Sequence, residues 1–95
     1  MSTYIILRRL LPEVFLNTEE FQDLAEVVSS KIKENCPGIK WKDSFMTTGR
    51  FEVVDVVESD DLKLVEKAAM IIRAYGKSST ETLLATPWKE FMERI

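Results

Sequence analysis

The order in which the hydrophobic period changes along this chain is the strongest constraint on its fold. Residues 2–10 are mostly β-branched, aromatic or aliphatic, and both alternating sets are largely apolar, which predicts a strand covered on both faces. After Asn17 the period becomes helical. Glu20 follows Asn17 by three residues, as in a capping box, and the helix should end near Asn35. Its predicted buried stripe is Phe21, Leu24, Ala25, Val28 and Ile32.

A breaker, Cys36-Pro37-Gly38, separates this helix from a predicted hairpin. From Ile39 the residues alternate, and residues 47–49 supply turn chemistry. Phe51 to Val57 then predicts a second strand, apolar on both faces except at Asp55. Strict alternation divides the first strand of the hairpin into two faces, with Ile39, Trp41, Asp43 and Phe45 on one and Lys40, Lys42, Ser44 and Met46 on the other.

The last third of the chain predicts a second long helix, a strand and a short helix. Ser59 is the expected cap of the long helix, and Tyr75-Gly76 marks its end. Residues 78–84 predict the strand, and Thr86-Pro87 predicts the start of the short helix. The long helix should bury Leu62, Val65, Ala69 and Ile72, with Leu64, Ala68, Ile71 and Tyr75 beside them. The short helix carries the apolar residues Trp88, Phe91, Met92 and Ile95.

The resulting β-α-β-β-α-β order predicts an α+β, ferredoxin-like fold. Its crossovers put both long helices on one face of a four-stranded antiparallel sheet. The length of 95 residues fits one domain over 1–95. Because the two central strands are apolar on both sides, the helix-free face would expose a large apolar patch, and a second copy of the chain is its simplest cover. We therefore expect a homodimer or a higher homo-oligomer.

Composition excludes several classes of function. The net charge of −3 argues against nucleic-acid and anionic-membrane partners. The absence of histidine removes the commonest general base and transition-metal ligand, and no phosphate-binding loop, dinucleotide motif or cysteine cluster is present, so we expect no cofactor and no metal. The single thiol of Cys36 cannot form an internal disulfide, and the opening apolar run ends at Arg8-Arg9, short of a signal peptide, so we expect a cytoplasmic protein.

Asp55 is the sharpest candidate for a site residue. It lies between Val53-Val54 and Val56-Val57 in a probable central strand, where an unpaired carboxylate would cost several kcal/mol. In an antiparallel pairing with the first strand it should lie near Tyr4 or Arg8, on the sheet face shared between subunits. Two interpretations stay open: an ion pair at a subunit interface and a group that faces a ligand.

Other candidates have a structural and a functional interpretation. Trp41, Asp43 and Phe45 could form a pocket for a small organic ligand or could simply be packed at an interface. Gly49 and Glu52 are typical of turn and register positions. Cys36 lies at a helix C-terminus, where the dipole disfavours a thiolate, so we do not expect an activated nucleophile.

The motif at the hairpin turn is part of a resemblance that covers nearly the whole chain. Gly49-Arg50-Phe51-Glu52 precedes the apolar run 53–57 and Ser59-Asp60-Asp61. Together with Thr3-Tyr4-Ile5-Ile6-Leu7, Leu11-Pro12-Glu13 and Ser79-Thr80-Glu81-Thr82-Leu83-Leu84 before Pro87 and Phe91, this order resembles the GYD family, small domains named for a Gly-x-Tyr-Asp signature. Phe51 and Glu52 stand where the family has tyrosine and aspartate, so no role that needs a phenol proton is expected there.

The resemblance implies a fold of the dimeric α/β barrel type, in which two sheets pack face to face, and implies little about function. The wider superfamily includes cofactor-free monooxygenases, isomerases, decarboxylases and proteins without a known reaction. We rank first an oligomeric module that binds a small organic ligand between facing sheets or serves assembly. A cofactor-independent enzyme of the barrel type is the alternative.

Overall fold

The computed structural model describes residues 1–15 and 17–95, in which four strands and three α-helices follow in the predicted order. The strands form one sheet in the order β2-β3-β1-β4, and every neighbouring pair is antiparallel. The ferredoxin-like βαββαβ arrangement with a short C-terminal helix is therefore confirmed. The elements are β1 (Ser2–Leu10), a short 3-10 helix (Pro12–Phe15), α1 (Thr18–Asn35), β2 (Lys40–Met46), β3 (Val53–Ser59), α2 (Leu62–Tyr75), β4 (Ser78–Ala85) and α3 (Trp88–Arg94).

The hydrophobic core lies between the sheet and the two long helices. On the sheet side, Tyr4 and Ile6 of β1 face the helices together with Val57 of β3, because Tyr4 is paired with Val57 and Ile6 with Asp55. The helices complete the core with Val28 and Ile32 from α1 and with Val65, Ala68, Ile71 and Ile72 from α2. Both long helices thus cover the same face of the sheet, as the crossovers require.

The caps of the helices agree with the sequence in part. Oδ1 of Asn17 accepts hydrogen bonds from the backbone N–H groups of Glu19 and Glu20 at 2.9 and 3.1 Å, so the predicted cap of α1 is confirmed. The cap of α2 is Asp61 and not Ser59, and the cap of α3 is Pro87, without a side-chain hydrogen bond. Ser59 ends β3 instead. In a Ser-Asp-Asp run each residue is a good cap, so propensity alone does not select among them.

The predicted helical stripes are only partly buried. Val28 and Ile32 of α1 are buried, whereas Ala25 is exposed. In α2 the end residues Leu62 and Tyr75 are 49% and 45% exposed, while the middle of the stripe is buried. The exposed part of the α1 stripe faces a gap between this helix and the sheet.

A β-bulge in β2 changes which residues share a face. Trp41 is paired with Val57, but Asp43 is paired with Val56, so Lys42 is an extra residue in this strand. Trp41 and Ser44 consequently lie on the helix side, and Asp43 lies on the other. The predicted common face of Trp41, Asp43 and Phe45 is wrong, because one inserted residue reverses the alternation beyond it.

The helix-free face of the sheet is apolar across its central strands and partly exposed. Register places on it Ile5 and Leu7 from β1, Phe45 from β2, Val54 and Val56 from β3, and Leu83 from β4. Helix α3 also stays exposed in the single chain, with Trp88 at 74% and Ile95 at 81%. Among the described helices, none is long and apolar enough to cross a membrane.

Candidate ligand-binding site

Asp55 is fully buried, and its carboxylate is bonded at both oxygens. Nε of Arg8 donates to Oδ2 at 2.6 Å, which is the predicted pairing with β1. At Oδ1, the Ser44 hydroxyl donates at 2.6 Å and the Trp41 indole N–H donates at 3.3 Å. Asp55, however, points towards the helices, on the face of Ile6 and Val57. The expectation that it lies on the face shared between subunits is therefore wrong.

The sheet register explains why these four side chains converge. Ser44 is directly opposite Asp55 in the hairpin, and Arg8 is paired with Val53, the next residue of β3 on the same face. Trp41 reaches the cluster because the bulge returns the strand to the required face. Its indole N–H lies 2.9 Å from the Ser44 hydroxyl oxygen, and the Arg8 guanidinium carbon is 6.0 Å from the centre of the Trp41 ring. We call Arg8, Trp41, Ser44 and Asp55 the polar cluster.

The hydrogen bonds of the polar cluster offset the cost of burying its charges. A buried carboxylate is tolerated when an opposite charge and further hydrogen bonds satisfy it. Across residues 1–15 and 17–95, every buried side-chain nitrogen and oxygen has a hydrogen-bond partner. Because both oxygens of Asp55 already accept hydrogen bonds from protein donors, this carboxylate is better suited to hold Arg8, Ser44 and Trp41 in place than to accept a proton.

Beside the polar cluster, a cavity of about 570 Å³ lies between α1 and the sheet. Its size falls within the usual range for small-molecule sites. The polar side chains of its lining include Arg8, Ser29, Lys33 and Ser44, and its apolar side chains include Val28, Ile32, Pro37, Ile39 and Trp41. A second cavity of about 210 Å³ shares Arg8, Ala25, Val28 and Ser44 with the first and is also lined by Asp55. The polar cluster thus contributes to both.

Cys36 lines the larger cavity and is buried. Burial raises the pKa of its thiol, and the positive charge of Lys67 opposes this effect. A thiol with a raised pKa is protonated at neutral pH and is a weak nucleophile. Its environment agrees with the sequence-based expectation that Cys36 is not activated.

The structure brings together three of the five predicted ligand residues. Asp55, Arg8 and Trp41 belong to the polar cluster, whereas Tyr4 is buried in the core and Asp43 is exposed on the helix-free side of β2. Their roles towards a ligand stay predictions. Sequence reasoning missed three polar lining residues, Ser29, Lys33 and Ser44. The spacing of Ala25, Ser29 and Lys33 at i, i+4 and i+8, beside the buried row of Val28, Ile32 and Cys36, is the signal that could have indicated this side of α1.

The signature residues at the hairpin turn lie away from the lining of these cavities and join the turn to the end of β1. Oε1 of Glu52 accepts a hydrogen bond from the backbone N–H of Leu10 at 2.8 Å. The guanidinium carbons of Arg9 and Arg50 lie 5.7 and 5.4 Å from the centre of the Phe51 ring. Glu52 and Phe51 precede β3 and do not open it as predicted. These contacts agree with the interpretation that the signature residues fix the turn and the register of the strands.

The fold and these motifs define a small ferredoxin-like domain, and the model of the GYD domain family matches residues 4–95. The chain therefore belongs to the GYD domain family. A comparison with curated proteins finds no relative. The structure resembles that of TTHA0845 from Thermus thermophilus, with 22% identity, a TM-score of 0.60, and coverage of 92% of this chain and 95% of that chain. This likeness concerns the fold alone.

A Caulobacter crescentus protein, provisionally described as an antibiotic biosynthesis monooxygenase, aligns with 19% identity and a TM-score of 0.47. The alignment covers 90% of this chain and 91% of that chain. A TM-score at this level supports no inference about the present chain.

Proposed function

We propose that this domain binds a small organic molecule in the cavity between α1 and the sheet. The observation that carries the proposal is a cavity of about 570 Å³ with largely apolar walls and a few convergent polar groups, the combination typical of small-molecule sites. The hydrogen bonds to Asp55 orient the side chains of Arg8, Ser44 and Trp41 at this cavity. Such support from a surrounding network is what fixes polar groups for recognition.

The location of this site differs from the one expected from the sequence. A ligand between two facing sheets would contact the helix-free face, but the polar cluster points to the helices. We therefore propose that each chain carries a binding cavity of its own.

A cofactor-independent enzyme is the second candidate, and the geometry of Asp55 makes it the weaker one. A general base must lie within hydrogen-bond reach of the proton that it removes from the substrate, and Asp55 is fully buried. Oδ2 of Asp55 is bonded to Arg8, and Oδ1 is bonded to Ser44 and Trp41. These contacts favour a carboxylate that organises the cavity over one that takes part in a reaction.

The proposal includes self-association through the helix-free face, as the apolar residues of that face suggest. Phe45 and Leu83 are 55% and 43% exposed in the single chain, and the central strands between them present Ile5, Leu7, Val54 and Val56. A contiguous apolar surface of this kind is unusual on soluble monomers.

We also propose a cytoplasmic location, which the single buried thiol of Cys36 supports, since it has no second cysteine with which to form an internal disulfide.

The cavity can be tested with a matched pair of substitutions on α1. Ser29→Phe places a ring in the cavity, whereas Ser30→Phe places the same ring on the side of α1 lined by Asp23, Glu26 and Val27. The probe is N-phenyl-1-naphthylamine, a neutral dye that fluoresces in apolar sites. We expect the native protein and Ser30→Phe to bind it and Ser29→Phe to lose at least about tenfold in affinity. Equal binding by all three, or no binding by the native protein, would contradict the proposal.

A further inference from the structure

The charges around the larger cavity are opposite in sign to the charge of the chain. The whole chain has a net charge of −3, yet the charged residues that line this cavity are Arg8 and Lys33, and no carboxylate is among its described lining residues. Cations gathered at the wall of an apolar cavity attract an anionic group of a ligand. This asymmetry is the starting point for the class of ligand.

Arg8 is held in a conformation that leaves donors for a ligand. Its hydrogen bond to Asp55 uses Nε, so Nη1 and Nη2 keep their N–H groups for another acceptor. The Arg8 side chain is only 17% exposed, and it is fixed by the buried carboxylate on one side and by the Trp41 ring on the other. A guanidinium fixed in this way recognises a carboxylate with little further loss of conformational entropy.

The charge count at the cavity favours a ligand with one negative charge. Asp55 neutralises the charge of Arg8, since the two form an ion pair at 2.6 Å. Lys33 forms no ion pair within the described part of the chain, so it leaves one positive charge in excess. A second negative charge on the ligand would have no partner and would lose its hydration in a partly apolar cavity.

Most of the remaining lining residues are apolar, so they favour a ligand that is apolar apart from its charged group. Val28, Ile32 and Ile39 together with Trp41 form walls that cannot satisfy further polar groups of a ligand. Resting on the proposed function, we infer that the cavity selects small monocarboxylic acids with an apolar body, with the carboxylate held at Arg8 and attracted by Lys33. Lys33 also lies in the last turn of α1, where a cation stabilises the helix, and the test must separate these two effects.

Three naphthalene compounds test this inference by displacing N-phenyl-1-naphthylamine. They are 1-naphthaleneacetate, its neutral amide and naphthalene-1,4-dicarboxylate. We expect 1-naphthaleneacetate to bind about tenfold more tightly than the amide, because the amide offers Arg8 no charged acceptor, and more tightly than the dicarboxylate. If the amide or the dicarboxylate binds as well as the acid while the dye is bound and blocked by Ser29→Phe, the inference is wrong and the proposed function stands. If the native protein does not bind the dye, both fail.

Substitutions then assign the preference to residues. Lys33→Gln should reduce the preference for acid over amide by about two- to fivefold, whereas Lys31→Gln, which makes the same change of charge on the same helix, should leave it unchanged. The double substitution Arg8→Gln with Asp55→Asn keeps the pair neutral and able to form hydrogen bonds. It should reduce the preference to the share of Lys33, about two- to fivefold, and binding of the neutral dye checks that the cavity is still formed. A preference that stays at about tenfold in this double variant would overturn the assignment to Arg8, and an equal effect of the two lysine substitutions would overturn that to Lys33.

Discussion

The two faces of the sheet are built from alternate residues of the same strands, and they differ in burial and in polarity. In β3, Asp55 and Val57 face the helices and are buried, whereas Val54 and Val56 face away from them and are partly exposed. The helix side combines a satisfied polar cluster with a cavity, whereas the other side is apolar across its two central strands and carries Asp43 and Glu81 on the outer strands. The proposed ligand site and the proposed assembly surface are thus separated only by the thickness of the sheet.

The two proposed activities, ligand binding and self-association, can therefore be disturbed independently. A side chain that belongs to the cavity lies across the backbone from one that belongs to the apolar face, so neighbouring residues in the sequence serve different roles. Substitutions one or two positions apart should then have effects of different kinds.

The largest effect is expected from Asp55→Ala. It removes the fully buried carboxylate that pairs with the partly buried guanidinium of Arg8, and breaking such an ion pair typically costs about 3–5 kcal/mol in the free energy of unfolding. Asp43→Ala, in the same hairpin but exposed on the opposite face, should change stability by less than about 0.5 kcal/mol. Urea denaturation of both variants measures the difference. Similar stabilities would show that the polar cluster does not stabilise the helix side of the sheet.

An intermediate effect is expected at the end of β2, where Phe45 and Met46 are adjacent and similarly exposed, at 55% and 59%. Their side chains lie on opposite faces, since Phe45 is paired with Val54 and Met46 with Val53. Phe45→Glu should weaken self-association by about tenfold or more, because it puts a charge into the apolar face, whereas Met46→Glu should not. Sedimentation equilibrium at micromolar concentration checks this. A monomeric native protein would refute the proposed use of the helix-free face.

The smallest effect concerns the helix side at high pH. Burial raises the pKa of the Cys36 thiol in the folded protein, so the unfolded chain releases this proton at lower pH than the folded one. The free energy of unfolding should therefore fall as the pH rises above the ordinary thiol value of 9.0, and it should keep this contribution in full below that value.

Cys36→Ala provides the comparison for this prediction. The variant should lack the thiol's part of the slope between about pH 8 and 10. Denaturation curves at several pH values give the two slopes. Parallel slopes would show that Cys36 is not held in its neutral form by the cavity wall.

Much of this molecule could be predicted from local patterns. Asn17 caps α1 because its side-chain oxygen meets the free N–H groups of the first turn, an interaction that depends on only a few neighbouring residues. The order of strands and helices follows from periodicity and short connections for the same reason. Asp55 can also be recognised from the sequence, since a lone carboxylate within a run of valines must have an ion-pair or hydrogen-bond partner or contact water.

The tertiary structure decided which face of the sheet these side chains occupy and which residues they contact. Whether Asp55 faces the helices or the opposite side depends on the register of three strands, and whether Trp41 joins it depends on one extra residue, Lys42, in β2. A slip of one residue reverses every side chain beyond it, and no local pattern in a strand with apolar residues on both faces specifies that slip. The sequence thus determined the elements and the charged residue at their centre. Packing of α1 against α2, which leaves a gap to the sheet, determined that Arg8, Ser44 and Lys33 share a cavity, because contacts between distant segments exist only once the chain is folded.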